Sequence, residues 1–287
     1  MSDLFHFGDK QLNLSNVQVM GILNVTPDSF SDGGQFSSID NALFQVEDML
    51  ENGASLIDIG GESTRPGAAE VSTDVEIDRV IPVIEAINQR FDTIISLDTS
   101  KANVMQAGIE AGIGLINDVR ALQNPGCLEV VAKTNLPVCL MHMQGLPRTM
   151  QVNPQYDNVT EDVIEFFNQR IKACAKVGIS GERIILDPGY GFGKTLEQNY
   201  QLLAEQKTIL ALQRPILAGI SRKSMIGNLL NRDVSERLAG SLSAAVLATI
   251  NGAKIIRVHD VKETSDALKV LTMTLQCQQG HKDNNNT

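Results

Sequence analysis

Two stretches of this 287-residue chain set turn residues beside groups able to hold an anion. Asn24-Val25-Thr26-Pro27-Asp28-Ser29-Phe30-Ser31-Asp32-Gly33-Gly34 is too polar for core and has no helical period. Gly60-Gly61-Glu62-Ser63-Thr64-Arg65-Pro66-Gly67 adds close backbone approach, a hydroxyl and a guanidinium. Taken alone, a glycine-bearing loop with one arginine is usually a connection. A second basic set near the other end, Ser221-Arg222-Lys223-Ser224 and Arg257-Val258-His259, gives it a counterpart. Taken singly, Arg257 also reads as a snorkelling rim residue and His259 as a cap for Asp260. Lys223 at a helix start opposes the helix dipole, which asks for a ligand. Ser224 reads as the N-cap, and the helix start it caps would accept a carboxylate or phosphate.

Against these cations stand Asp98, Asn117 and Asp187. A lone carboxylate at a strand end often just accepts backbone hydrogen bonds, but two acids and an amide in one place suit a planar nitrogen heterocycle. A carboxylate accepts from an amino group and the adjacent ring N–H together, while an amide both donates and accepts. Lys223 would donate to a ring carbonyl, and Met141 and Phe192 would cover the ring faces, though either also reads as plain core.

What brings residues so far apart in sequence together is a repeated pattern. Eight short apolar runs stop at a polar residue or glycine: Val17 to Leu23 at Asn24, Leu56-Ile57 at Asp58, Ile94 to Leu97 at Asp98, and Leu115-Ile116 at Asn117. The series continues with Val138 to Met141 at His142, Ile184 to Leu186 at Asp187, Ile216 to Ala218 at Gly219, and Ile255-Ile256 at Arg257. Strands of a parallel sheet are apolar on both faces, so a polar stop marks where each emerges. Helical periods lie between the runs, as in Ile39 to Glu51 and Thr73 to Phe91, and Gly53, Gly112, Gly178 and Gly252 end helices just ahead of the next strand. The fold expected is a (β/α)8 TIM barrel of the α/β class, with its site at the carboxyl ends of the strands. Strands eight and one are neighbours in a closed barrel, so Asn24, Arg65, Arg257 and His259 would share a pocket. The segment before Val17 has room for a short strand or hairpin closing the barrel bottom. Residues 1–279 read as one domain and 280–287 as a flexible tail.

Composition narrows the partners. The formal net charge of -10 argues against nucleic acid and anionic membrane surfaces, both of which call for a basic face. No apolar run approaches the roughly 18 residues of a membrane span, and Asp3 and Asp9 make the start unlike a signal peptide. The four cysteines, Cys127, Cys139, Cys174 and Cys277, form no CxxC pair, so reduced thiols in the cytoplasm are expected.

The loops already quoted, with Met20-Gly21-Ile22-Leu23 before the first, Asp58-Ile59 before the second, Asp98-Thr99, Ile116-Asn117-Asp118, Met141-His142-Met143, Asp187-Pro188-Gly189-Tyr190-Gly191-Phe192-Gly193-Lys194 and Arg257-Val258-His259-Asp260-Val261, resemble dihydropteroate synthases of folate biosynthesis, blocks in order across nearly the whole chain. The resemblance implies joining of 4-aminobenzoate to 6-hydroxymethyl-7,8-dihydropterin diphosphate, with release of pyrophosphate assisted by Mg2+. It implies that Asp98, Asn117, Asp187 and Lys223 hold the pterin, with Met141, Phe192, Gly219 and a stacked Arg257 around it. Asn24 would ligate Mg2+ and, with Thr64, Arg65, Arg257 and His259, hold the diphosphate. Ser224, Phe30 and Pro66 would take the aminobenzoate, and the catalytic set would be Asp28, Asp32, Arg65, Asp98, Lys223, Arg257 and His259. Loops 25–38 and 61–72 would close over the reacting carbon. Asp58 is expected to support those loops, and His142 to do no more than place Met141. The family is usually dimeric through carboxyl-terminal helices, and the stripe Leu238, Leu242, Ala245 and Ala248-Thr249 would permit a homodimer. Two alternatives are a methyltetrahydrofolate-dependent methyltransferase, which would not need Arg65, His259 or Ser224, and a non-catalytic pterin-binding protein, which would not keep the loop residues.

Overall fold

The computed structural model of the chain describes residues 4–25, 35–63, 70–145 and 154–284. Among them, eight parallel strands close into a barrel, each beside its neighbours in sequence and the last beside the first. The strands are β3 (Gln18–Asn24), β4 (Leu56–Gly60), β5 (Ile94–Asp98), β6 (Leu115–Asp118), β7 (Val138–Met141), β8 (Ile184–Asp187), β9 (Ile216–Ala218) and β10 (Ala253–Val258). Between and after them run α1 (Gln35–Glu51), α2 (Thr73–Arg90), α3 (Ala102–Glu110), α4 (Cys127–Ala132), α5 (Val159–Lys176), α6 (Leu196–Glu205), α7 (Ser224–Leu230), α8 (Leu238–Ile250) and α9 (Val261–Asn284). The fold is the α/β TIM barrel expected. Every residue of β4, β6, β7, β8 and β9 is buried, as apolar runs covered on both faces must be.

The amphipathic helices lay their apolar stripes on the outside of the barrel, and one large cluster fills that layer: Val46 and Met49 of α1, Val80, Ile84 and Ile87 of α2, and Val163 and Phe167 of α5 meet outward strand residues such as Leu23, Ile57, Ile59 and Leu97. The turns back into the strands rest on glycine, as expected: Gly53, Gly112, Gly178 and Gly252 have φ of 101°, 88°, 87° and 94°. A side chain there would meet the strain that glycine escapes.

A second cluster lies inside the barrel at its amino-terminal end. Met20, Leu56, Ile94, Leu115, Cys139, Ile185, Leu217 and Ile255, one from each strand, form its wall. Phe5, Phe7 and Leu14 fill it from below. Phe5 and Phe7 belong to β1 (Leu4–Phe7), which pairs antiparallel with β2 (Lys10–Asn13), and Leu14 follows β2 directly, so the short hairpin expected before Val17 does close the barrel bottom. Burial of side chains this large stabilises by about 2 kcal/mol each.

Several boundaries differ from the sequence reading. After β8 the chain does not keep one helical period: α6 starts on a Thr195/Gln198 capping box, and Gln206–Leu212 tightens to a 3-10 helix. The buried Gln206 amide donates to Ala248 and Asn251 carbonyls and accepts from the Tyr190 hydroxyl, a demand from other elements that local period does not carry. The last helix continues to Asn284, past the Gly280 where a tail is expected to begin. Ser224 is not the cap of α7 but its first helical residue, and Lys223 is the capping position, with extended backbone (φ -68°, ψ 160°) and no side-chain cap bond.

Candidate active site

Parallel pairing sets the polar residues of the barrel mouth in layers. Gly60 pairs with Asp98 and Asn24, and Asp98 pairs with Asn117, so these residues share the rim layer. Asp58 pairs with Ser96 two residues earlier on the same face, one layer deeper. The expectation that Asp58 ends its strand and supports the first two loops is corrected here. β4 continues through Ile59 and Gly60, and Asp58, fully buried, accepts from Arg257 Nε at 2.5 Å, from Ser96 Oγ at 2.5 Å, and from Asn117 Nδ2 at 3.2 and 3.3 Å. It is the hub beneath the mouth.

Arg257 reaches across the barrel axis, its Nη2 donating to Asp98 at 3.0 Å while Nε holds Asp58. Burial works to lower its pKa, but Asp58 and Asp98 outweigh burial and hold it above the usual guanidinium value. Asp98 shows the opposite balance: burial, against Arg257 and with Asp58 adding repulsion, pushes its carboxyl up to about 7. Asp187 is also raised by burial, against the pull of Lys223 and a 2.8 Å hydrogen bond from the Gly189 N–H. Lys223 is lowered to about 8, chiefly by burial, although Asp187 favours its charge. The mouth therefore holds two acids that keep protons more readily than usual and a lysine that releases one more readily. Such groups can present donors or acceptors to a neutral ring without stranding a full charge.

Lys223 is fixed from two sides. Its Nζ donates to the Tyr190 carbonyl at 2.6 Å and lies 4.5 Å from the centre of the Phe192 ring, a cation–π contact. That tether explains why Lys223 takes the extended capping position despite the unfavourable helix dipole. Behind it, Arg222 has left-handed backbone (φ 57°) fixed by the Ser241 hydroxyl on its N–H, by Arg237 on its carbonyl, and by an ion pair to Asp260. Gly219 leaves room beside Arg257 and Lys223, since a Cβ there would lie 3.8 Å from each. At the rim, Ser221 Oγ lies 3.1 Å from His259 Nδ1 and accepts from the His259 backbone N–H at 3.2 Å.

Met141 is buried and Phe192 half-buried. Asn24 is exposed at the end of β3. Asp28, Phe30, Asp32, Thr64, Arg65 and Pro66 lie outside the described residues. On either side of 64–69, Lys101 Nζ donates to Glu62 and to the Val71 carbonyl at 2.7 Å each, and to buried Glu76 at 2.6 Å. Nothing in the sequence pattern singled out this knot. His142 does more than place Met141: it is buried, its Nδ1 lies 3.0 Å from Lys194 Nζ, and burial holds its pKa well below the usual histidine value. Lys194, buried behind Asp187, is lowered by burial to about 7.

Comparison with known proteins agrees with this arrangement. Residues 20–259 match the model of the pterin-binding enzyme family. The dihydropteroate synthase of Haemophilus influenzae is 57% identical over 266 residues, covering 93% of this chain and 97% of that protein. The Yersinia pestis dihydropteroate synthase in complex with a sulfonamide drug superposes with a TM-score of 0.91 at 55% identity, covering 95% of this chain and 99% of that one. The Xanthomonas albilineans dihydropteroate synthase with 4-aminobenzoic acid gives 0.90 at 46% identity, covering 96% and 99%. The fold and the match define a pterin-binding barrel enzyme, a transferase. Within that class, the chain belongs to the dihydropteroate synthase family.

Proposed function

We propose that this protein condenses 6-hydroxymethyl-7,8-dihydropterin diphosphate with 4-aminobenzoate, giving 7,8-dihydropteroate and pyrophosphate with the help of Mg2+. The observation that carries the reading is the meeting of Asp98, Asn117, Asp187, Lys223 and Arg257 in one barrel mouth, in a chain whose relatives are dihydropteroate synthases. A relative solved with 4-aminobenzoic acid, and another with 7,8-dihydropteroate, support the choice of substrates.

The pterin lies deepest. Asp187 accepts from its amino group and ring N–H, Asp98 and Asn117 serve the remaining polar edge, and Lys223 donates to the ring carbonyl. Arg257 covers the ring and, with Thr64, Arg65 and His259, faces the diphosphate. The aminobenzoate carboxylate takes Ser224 and the start of α7, with Phe30 and Pro66 against its ring. Departure of pyrophosphate is the demanding step, and cations held beforehand at the developing negative charge lower its barrier. The carbon left behind is a cation conjugated with the pterin. An aromatic amine is unprotonated at neutral pH and attacks it without a strong base. Asp28 and Asp32 belong to the catalytic set in this reading, and loops 25–38 and 61–72 would close to exclude water from the reacting carbon.

Among the described residues no group of three or more His, Cys, Asp or Glu side chains gathers into a metal cage. One exposed amide oxygen, that of Asn24, suits Mg2+, which keeps waters and rides on substrate phosphates rather than in all-protein cages. When bound, Mg2+ would neutralise charge on the departing diphosphate.

The enzyme works in the cytoplasm as a homodimer in this reading. All four cysteines are free, which suits a reducing compartment, and none of the described helices is long and apolar enough to cross a membrane. The dimer face differs from the stripe first expected, because Ala245 and Ala248 are buried against the barrel. Leu238, Leu247 and Ile250 of α8 and Val270, Met273 and Leu275 of α9 are the exposed apolar residues there, and a groove on α9 runs past Val270, Met273 and Cys277.

The decisive experiment mixes both substrates with the protein, with and without Mg2+, and follows pyrophosphate. Release that needs both substrates supports the reading. Methyl transfer from a reduced folate to a corrinoid protein, without pyrophosphate release, would point to the methyltransferase instead.

A further inference from the structure

The motif running from Asp187 ends in Lys194, a residue to which the reaction outlined above gives no task. Its side chain is nonetheless buried, with 3% of the residue exposed. A primary ammonium has three N–H donors, and three acceptors surround this one: the Gly189 carbonyl at 2.8 Å, the Phe192 carbonyl at 3.1 Å and His142 Nδ1 at 3.0 Å. His142 is suited to accept, since burial keeps it neutral. The two carbonyls flank Tyr190 and Gly191. Tyr190 supplies the carbonyl that holds Lys223, and Phe192 supplies the ring beneath the same ammonium.

The loop between Asp187 and Lys194 is also held by Asn199 Oδ1, which accepts from the Gly191 N–H at 2.6 Å, by the Tyr156 hydroxyl on the Gly193 carbonyl at 2.8 Å and by Tyr190 on Gln206, but Lys194 is the tie that joins the Gly189 and Phe192 carbonyls to His142. Gly189, Gly191 and Gly193 all take positive φ, at 70°, 81° and 64°, which leaves the segment intrinsically permissive. It is pressed against the segment after β7: a Cβ on Gly189 would lie 1.8 Å from the His142 carbonyl oxygen, and one on Gly193 2.5 Å from that of Gln144. A loop of alternating glycines has many conformations to lose, and Lys194 is a bolt that joins Gly189 and Phe192 to His142, just past the end of β7.

We infer that Lys194 is a positioning residue for the pterin pocket: by tying Gly189, Phe192 and His142 together it fixes the loop whose Tyr190 carbonyl and Phe192 ring aim Lys223. This rests on the function proposed above. The residue touches neither substrate. Its influence falls mainly on one of the two, because the loop meets the site through the Lys223 ammonium, whereas the backbone around Arg222 has its own braces in Ser241 and Asp260.

Two measurements on Lys194→Met test it. Hydrogen–deuterium exchange of the ligand-free protein should rise in residues 189–193 and stay as in wild type in α1 and α2. The KM for the pterin diphosphate should rise about tenfold, with the KM for 4-aminobenzoate within about twofold of wild type. His142→Leu, which removes one acceptor and leaves two, should move both readouts the same way by less, and it decides the matter if the lysine variant does not fold. Unchanged exchange, an unchanged pterin KM, or equal loss for both substrates would overturn the inference. Wild-type protein that fails to bind the pterin diphosphate in calorimetry would overturn the functional reading itself, a failure seen without any variant.

Discussion

Asp58→Asn is the sharpest perturbation of the barrel mouth. The substitution keeps the volume, so no cavity opens and the effect is electrostatic. It removes the charge that faces Arg257 Nε at 2.5 Å and sets an amide donor among three donors, those of Arg257, Asn117 and Ser96. Removing one partner of a buried ion pair costs about 3–5 kcal/mol. Arg257 keeps Asp98, and the Ser96 hydroxyl can rotate to accept, so the low end, about 3 kcal/mol, is expected. For a chain of 287 residues that corresponds to a melting temperature lower by about 5 °C. Ser96→Ala removes one hydrogen bond to the same carboxylate and should cost about 1 kcal/mol, or about 2 °C. Scanning calorimetry without ligand gives both values. Arg257, freed from below, would no longer be aimed at the leaving group, so pyrophosphate release should fall at least about tenfold. An Asp58→Asn protein that melts within about 1 °C of wild type and turns over normally would refute the claim that Asp58 is the hub.

Lys223→Met and Asp187→Asn should each weaken pterin diphosphate binding by about tenfold or more, since each removes a charge-assisted partner of the ring; unchanged affinity by calorimetry would count against the pocket. Stability should depend on pH in a set direction. Asp98, raised from 3.8 to about 7, keeps its proton in the fold after the unfolded chain has lost its own, so its contribution to stability falls as pH climbs from 4 to 7. Lys223, lowered from 10.5 to about 8, and Lys194, lowered from 10.5 to about 7, act in reverse, and their contributions rise from those values toward 10.5. Asp98→Asn should therefore gain on wild type steadily from pH 4 to 7, so that its melting temperature relative to wild type is higher at pH 7 than at pH 4, and the opposite trend would contradict the assignment. Val270→Glu with Met273→Glu should turn a dimer into a monomer in sedimentation; a wild-type monomer, or a variant that stays dimeric, would discount that face.

The barrel was legible in the sequence because its signals repeat. A polar stop after an apolar run and a glycine before the next strand recur often enough that one weak instance supports another. The rim residues Asp98, Asn117 and Asp187 were legible for the same reason. Asp58 was misread because the run Leu56-Ile57 breaks at it, whereas the strand goes on through Ile59 and Gly60. Its partner Arg257 is 199 residues away, and no local pattern encodes that contact. His142 and Lys194 escaped for a similar reason, being joined across 52 residues. Ser224 looked like a cap on propensity alone, yet the tether from Lys223 to Tyr190 decides which residue turns the chain. On α8, where apolar residues lie on all sides of the helix, period cannot tell the face against the barrel from the face left exposed.

The hairpin at the barrel floor has a consequence for entry and exit. With Phe5, Phe7 and Leu14 wedged into the lowest ring of strand residues, the barrel is a blind well rather than a tube. A molecule seated over Asp58 would then have no exit below it and would have to use the open end of the barrel. In the proposed reaction the joined product would leave through the same doorway by which its two parts came in.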